Sequence, residues 1–360
     1  MKLSVLVLPG DGIGTEVTRE AVRVLRRVAE RFGHQLWLSE GLLGGIAIQK
    51  TGSPLPEETL KLAADADATL MGAVGLPEFD NAPPEQRPEK GLLGIRKALG
   101  VYANLRPVRA YASQLDSSPL KNHLVEGADM IIVRELTGGI YYGTPRGITE
   151  NGAETRAVNT MTYTRAEIER VSRMAFHLAR ARRKKVTSVD KSNVLENSQL
   201  WRRVVIEIAR EFPDIELDHL LVDNCAMQLI LNPRRFDVVL TENMFGDILS
   251  DEGAVLAGSI GMLPSASIGD QRPSGAWVGL YEPVHGSAPD IAGQNKANPL
   301  GAIGSVAAML GYSFGLTQEA AAVDAAIEKV LSSGQVTADL RPKGAPATTE
   351  EVGAAVCSAV

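Results

Sequence analysis

The run Asn243-Met244-Phe245-Gly246-Asp247-Ile248-Leu249-Ser250-Asp251-Glu252 decides how the rest of the chain is read. It sets Asp247 and Asp251 one helical turn apart, with Met244, Ile248 and Leu249 filling the positions around them. On a helix, residues i and i+4 stand one above the other on one face. Two carboxylates so placed repel each other unless a cation sits between them. Oxygen-only ligands of this kind suit a hard divalent ion such as Mg²⁺ or Mn²⁺. Standing alone, the pair would more often be a solvated helix face, since acids are mostly surface residues. Its meaning depends on what accompanies it.

The 360 residues exceed what one hydrophobic core usually organises, so two domains are expected. An apolar content of 44% and a charged content of 22% are those of an ordinary globular protein. A formal net charge of −6 argues against a nucleic-acid binder, which needs a concentrated basic surface. The basic run Arg180 to Lys185 follows an amphipathic pattern (Ile168, Val171, Met174, Ala175, Leu178), where cations favour a helix C-terminus. Cys225 and Cys357 show neither metal-ligand spacing nor a disulfide framework. The N-terminus runs straight into a strand, and no apolar run reaches the length of a membrane span. These features point to a cytoplasmic protein without a membrane or nucleic-acid partner.

The first third alternates strand and helix: strands at Leu3–Leu8, Leu36–Leu38 and Ala68–Met71, helices at Glu16–Phe32 and Leu60–Ala66. That order predicts an α/β fold with a largely parallel sheet. From Tyr102 the texture becomes β-rich, through Ala103–Val108, Met130–Arg134 and a Tyr-, Thr- and Gly-rich stretch near 137–163 that reads as an arm exchanged with a second subunit. Strands near Val186–Val189 and Val238–Leu240 and helices near Gln199–Arg210 and Asn224–Leu231 follow. After Gly258 the chain reads as a long Gly/Ser/Pro-rich loop to Pro299, then as helix to the end. We expect one domain from 1–101 and 264–360, a second from 102–263, and an interdomain cleft.

Gly10-Asp11-Gly12-Ile13-Gly14 joins a strand to a helix, but the third glycine of a Gly-x-Gly-x-x-Gly fingerprint is missing, since Thr15 stands there. The turn is therefore expected beside a cofactor without cradling its pyrophosphate in the Rossmann manner. On a helix, Glu89, Leu92, Leu93 and Arg96 form one face: acid, apolar, apolar, guanidinium. Arg96, Arg106 and Arg134 are candidates to grip carboxylates through their planar forks. Lys191 follows a strand, at the end where α/β sites gather, and a lysine near arginines and a cation is a plausible base. The loop Leu280–Gly293, continuing to Asn298, holds small residues that admit a ligand to the backbone, and Asp290 can accept from a ribose diol.

Together Asn243–Glu252, Arg134–Tyr141 and His285–Asp290 resemble the isocitrate/isopropylmalate family of metal-dependent decarboxylating dehydrogenases, over essentially the whole chain. The Glu89–Arg96 helix is similar to the isopropylmalate branch: Leu92-Leu93 suits an isopropyl group where isocitrate enzymes carry a serine. The resemblance implies NAD-dependent oxidative decarboxylation of 3-isopropylmalate by a homodimer with shared sites, using Mg²⁺ or Mn²⁺. It implies that Arg96, Arg106 and Arg134 bind carboxylates, Leu92 and Leu93 the isopropyl group, and Glu89 the pocket edge beside the nicotinamide ribose. Asp247 and Asp251 would ligate metal with Asp223 of another subunit. Lys191, also from another subunit, would take the hydroxyl proton, and Tyr141 would protonate the enol. Ile13, Glu282, His285, Gly286, Ser287, Ala288, Asp290, Ala297 and Asn298 would hold the dinucleotide. Two departures stand out: Leu76 replaces a frequent glycine, and Asp270–Gly279 looks like a small insertion.

Overall fold

A computed structural model of the chain describes residues 1–152 and 154–360. In chain order the elements begin β1 (Lys2–Gly10), α1 (Gly14–Phe32), β2 (Gln35–Glu40), α2 (Gly45–Thr51), α3 (Glu57–Asp65), β3 (Ala68–Ala73) and α4 (Pro88–Leu99). There follow β4 (Ala103–Arg109), α5 (Asn122–Val125), β5 (Asp129–Glu135), β6 (Gly147–Asn151), β7 (Glu154–Val158), α6 (Arg165–Arg180) and β8 (Lys185–Asp190). Next come α7 (Glu196–Ala209), β9 (Glu216–Leu221), α8 (Val222–Leu231), β10 (Val238–Thr241) and α9 (Asn243–Ala257). The chain closes with β11 (Pro264–Gln271), β12 (Trp277–Pro283), α10 (Leu300–Tyr312), α11 (Thr317–Ser333) and α12 (Thr349–Ala359).

Two compact units result. The first comprises 1–101, 110–122 and 254–360; the second comprises 102–109 and 123–253. Residues 110–122 and 254–263 thus group with the first unit.

In the first unit the strands lie in the order β2-β1-β3-β12-β11, parallel except for the β11–β12 pair. Helix α1 forms because Val17, Ala21, Val24, Leu25 and Val28 recur at helical spacing, and all five are fully buried. It ends at Gly33, whose φ of 71° a side chain would resist. A core of Leu6, Leu8, Leu43, Met71, Ile95 and Leu280 fills the space between sheet and helices, with Leu55, Val74 and Leu92 packed against it.

The stretch expected to be one long loop after Gly258 contains the β11–β12 hairpin instead. Its small residues Ser265 and Ser267 are buried, and Arg272 N–H donates to Ala276 O at 2.7 Å across the turn. The apparent insertion at Asp270–Gly279 is that turn with its flanking strand ends. The C-terminal segment, expected to be helical, comprises α10, α11 and α12.

In the second unit the order is β4-β5-β10-β8-β9, with β4–β5 antiparallel and the rest parallel. The four residues of β10 are buried, as parallel strands covered on both faces must be. Helix α6 opens with a capping box between Thr164 and Glu167. Among the described residues strands β6 and β7 pair only with each other, and nine of their ten residues are exposed. Among the described residues no helix is long and apolar enough to cross a membrane.

Candidate active site

Helix α9 starts directly after β10, and the buried Glu242 between them caps it. The Glu242 carboxylate accepts from Met244 N at 3.1 Å and from Phe245 N at 2.7 Å. Tyr163 Oη donates to Glu242 at 3.1 Å and accepts from Asn243 N at 2.9 Å. Burial raises the Glu242 carboxyl above its ordinary range, against the pull of these N–H bonds. Gly246 lets the helix approach β5: a Cβ there would sit 2.7 Å from Arg134 Cβ. That close approach lays the Arg134 side chain along α9.

Sheet register brings in the second arginine. Arg106 lies opposite Ile132, and Asn104 opposite Arg134, so both guanidiniums rise from one face of the β4–β5 pair. Arg106 Nε donates to Asn104 at 2.7 Å, and its Nη1 donates to Ser250 Oγ at 2.6 Å. The same Nη1 lies 3.4 Å from Asp247 and 3.8 Å from Asp251. Arg134 Nε donates to Asn243 at 2.9 Å, and its Nη1 pairs with Asp247 Oδ1. Tyr141 Oη donates to the other Asp247 oxygen at 3.1 Å.

The cations are fixed and the anions reach outward. Side-chain exposure is 8% for Arg106 and 4% for Arg134, against 38% for Asp247 and 61% for Asp251. Burial holds the Asp251 carboxyl above its ordinary value; Arg106 and Arg134 oppose the shift, and the like charge of Asp247 adds to it. Burial, and then the Asp247 charge, likewise keeps the Tyr141 hydroxyl protonated beyond its usual range. The cluster is a pair of carboxylates one turn apart, two forked cations that can hold further carboxylates, and one hydroxyl acid.

Lys191, just past β8, donates to Asp223 on α8 at 2.6 Å. That hydrogen bond is the main cause of the lowered Asp223 carboxyl. Among the described residues no three His, Cys, Asp or Glu side chains are grouped to hold a metal. Within one chain, therefore, Asp223 does not join Asp247 and Asp251.

In the first unit Arg96 donates to Glu282 at 2.6 Å; the two side chains are 8% and 6% exposed, and Arg96 Nε has no partner. Sequence reasoning placed these residues with different ligands and did not foresee their ion pair. On the same helix Leu92 and Leu93 are half-buried, Leu92 against the core, while Glu89 is exposed. The turn Gly10–Gly14 touches the loop after β12: Ile13 N donates to Ser287 O at 2.8 Å. Gly12 and Ala288 adopt positive φ there, 54° and 38°. His285 is buried, its Nδ1 lies 2.8 Å from Gly286 O, and its Nε2 has no partner. Burial holds this imidazole below its ordinary pKa. The neutral ring donates from Nδ1, leaving Nε2 as a buried acceptor. Gly286 and Asp290 are exposed, Ala297 O accepts from Thr349 at 2.7 Å, and Asn298 bonds Asp339 and Leu300 N, both at 3.0 Å.

Asn104, Asn243, Ser250, Glu242 and Tyr163 were not singled out in the sequence. Ser250 carried a signal, lying between the two aspartates of the deciding run. Tyr163 carried none, because its partners are some 80 residues away, at separations of 79 and 80.

Residues 4–356 match the family described as isocitrate/isopropylmalate dehydrogenase. The chain is 62% identical over 341 residues to a protein of Geobacillus kaustophilus named 3-isopropylmalate dehydrogenase, covering 94% of this chain and 90% of that one. A Halalkalibacterium halodurans protein of the same name is 55% identical over 361 residues, covering 100% and 98%. Among solved structures, isocitrate dehydrogenase from Methylococcus capsulatus is similar with a TM-score of 0.87 at 35% identity, covering 99% and 98%.

Proposed function

This chain belongs to the isocitrate/isopropylmalate dehydrogenase family, and on that premise we propose that it converts 3-isopropylmalate to 2-oxo-4-methylpentanoate and CO₂ in leucine biosynthesis. The proposed oxidant is NAD⁺, the metal Mg²⁺ or Mn²⁺, and the assembly a cytoplasmic homodimer. The observation that carries this reading is Asp247, one carboxylate met by Arg106, Arg134 and Tyr141 with Asp251 a turn further on.

The donor set fits a hard divalent ion. Asp247 and Asp251 offer only oxygens one helical turn apart, the donor chemistry such an ion prefers; burial first, and the like charge of Asp247 after it, raise the Asp251 carboxyl. Asp223 of a second subunit would complete the set. The loop after β12 fits a dinucleotide: His285 Nε2 is a buried acceptor without a partner, suited to an adenine amino group. Asp290 suits a ribose diol, and with Ile291 beside it would repel a 2′-phosphate, which favours NAD⁺ over NADP⁺.

If bound, a nicotinamide dinucleotide held by the loop after β12 would supply a hydride acceptor, and a divalent ion held by Asp247 and Asp251 would supply Lewis-acid charge to the developing carbonyl and enolate. Arg96, Arg106 and Arg134 hold the carboxylates, and Leu92 and Leu93 bury the isopropyl group. Lys191 takes the hydroxyl proton. Tyr141, kept protonated by burial and by Asp247, returns a proton to carbon after decarboxylation. Sharing of sites between subunits is supported by the exposed Lys191–Asp223 pair and by Met227 and Leu231, 52% and 57% exposed one turn apart on α8. The exposed β6–β7 hairpin supports it too.

A steady-state comparison of 3-isopropylmalate, D-malate and isocitrate with each cofactor tests the reading. The highest kcat/KM is expected for 3-isopropylmalate with NAD⁺. A clear preference for isocitrate would overturn the substrate assignment.

A further inference from the structure

Asp11 lies inside the Gly10–Gly14 turn and is 2% exposed. Its carboxylate accepts three backbone N–H bonds from two distant segments: Oδ1 from Ile46 and Oδ2 from Gly45 and Gly75, each at 2.8 Å. Its own N–H donates to Ala73 O at 2.7 Å. Bonds of this kind to an ionised acceptor are strong and directional. With both oxygens engaged and the side chain buried, Asp11 presents no surface to a ligand.

Both segments lead to residues assigned above. Gly75 has a φ of 128°, and a Cβ there would lie 3.2 Å from Ser287 Oγ and 3.6 Å from Glu89 Oε1. It is the seam between the cofactor loop and the start of α4. On the other side, Gly44 N, next to Gly45, donates to Pro54 O at 2.9 Å. Gly91 of α4 packs on that same residue, where a Cβ would sit 2.9 Å from the Pro54 carbonyl carbon and 3.2 Å from Leu43. Leu76 joins the two arms: its Cδ1 occupies the space a Cβ on Gly45 would need, at 2.6 Å. The residue that departs from the family's frequent glycine is thus part of the same clasp.

We propose that Asp11 is a positioning residue: its carboxylate holds α4, with Leu92, Leu93 and Arg96, in register with the Ser287 end of the cofactor loop. The proposal rests on the substrate and cofactor roles given to those residues above. Displacing reacting groups by about 1 Å can cost on the order of a hundredfold in rate.

Asp11→Asn tests it. The amide keeps the shape but turns an NH₂ group toward at least one of the three N–H donors. We expect kcat/KM for 3-isopropylmalate to fall roughly ten- to a hundredfold, with KM rising for both substrate and NAD⁺. Calorimetric affinity for NAD⁺ alone should weaken by about tenfold or more, and amide exchange should quicken in 41–46, 74–79 and 88–99 but not in 185–190. A variant that melts earlier yet keeps wild-type KM values and NAD⁺ affinity well below its melting point would overturn the proposal. If Asp11→Asn does not fold, Gly75→Ala perturbs the same seam with the carboxylate intact, and unchanged KM values there would overturn it equally. A wild type that binds NAD⁺ but does not oxidise 3-isopropylmalate would sink the functional reading, while NAD⁺ affinity and amide exchange would still decide the role of Asp11.

Discussion

Asp251→Asn should uncouple metal binding from folding, and the size of the effect can be worked out. Asp251 is 61% exposed, so its attraction to a bound ion is close to that in water. A divalent charge about 4 Å from a carboxylate charge is attracted by about 2 kcal/mol in that medium. Losing it weakens binding about 30-fold. At a metal concentration of about 100 times the wild-type Kd, the wild type gains about 2.7 kcal/mol of stability and the variant about 0.9 kcal/mol. For a chain of this size the difference of about 1.8 kcal/mol is about 2 °C in Tm. Without metal the order should not follow, because the substitution removes a carboxylate whose ionisation the fold disfavours. Scanning calorimetry of both proteins with EDTA and with Mg²⁺ measures this directly. An equal Mg²⁺-induced rise in the two proteins would refute the assignment of Asp251 to the metal.

Three further outcomes are expected. Mixing Lys191→Ala with Asp247→Asn chains should restore activity, because a heterodimer then holds one intact site; subunit exchange without recovery would contradict sharing. Leu92→Ala should shift preference away from 3-isopropylmalate and toward D-malate by at least about tenfold, as the loss of a branched-group contact does; equal losses on both substrates would place the pocket elsewhere. Burial raises the Glu242 carboxyl, so the folded state binds more protons than the unfolded one as pH climbs from the ordinary carboxylate value of 4.5 toward the raised one. Across that window wild-type stability relative to Glu242→Gln should fall as pH rises, which urea titrations at several pH values would show; a rise would reverse the sign.

What could be read from the chain was local. The Asp247–Asp251 pair and the acid–apolar–guanidinium face of α4 are set by spacing within single helices, and both lie on helices in the structure. Reading the Gly10–Gly14 turn for its glycines and its missing third one hid Asp11, whose carboxylate accepts from Gly45, Ile46 and Gly75. Where distant segments decide, the reading failed. Strands β11 and β12 look like loop because Ser265, Ser267 and Gly279 are small; they are strands because β3 pairs with β12 and α10 covers them. The Arg96–Glu282 pair spans 186 residues, and no local pattern announces it. The alignment of Arg106 with Arg134 needed the register of two strands.

The central claim is a coupled oxidation and decarboxylation, and its products test it most directly. Purified protein incubated with 3-isopropylmalate, NAD⁺ and Mg²⁺ should yield NADH, CO₂ and 2-oxo-4-methylpentanoate in equimolar amounts, with all three abolished by EDTA and recovered on adding Mg²⁺. NADH formed without CO₂, or full activity surviving exhaustive chelation, would contradict the account.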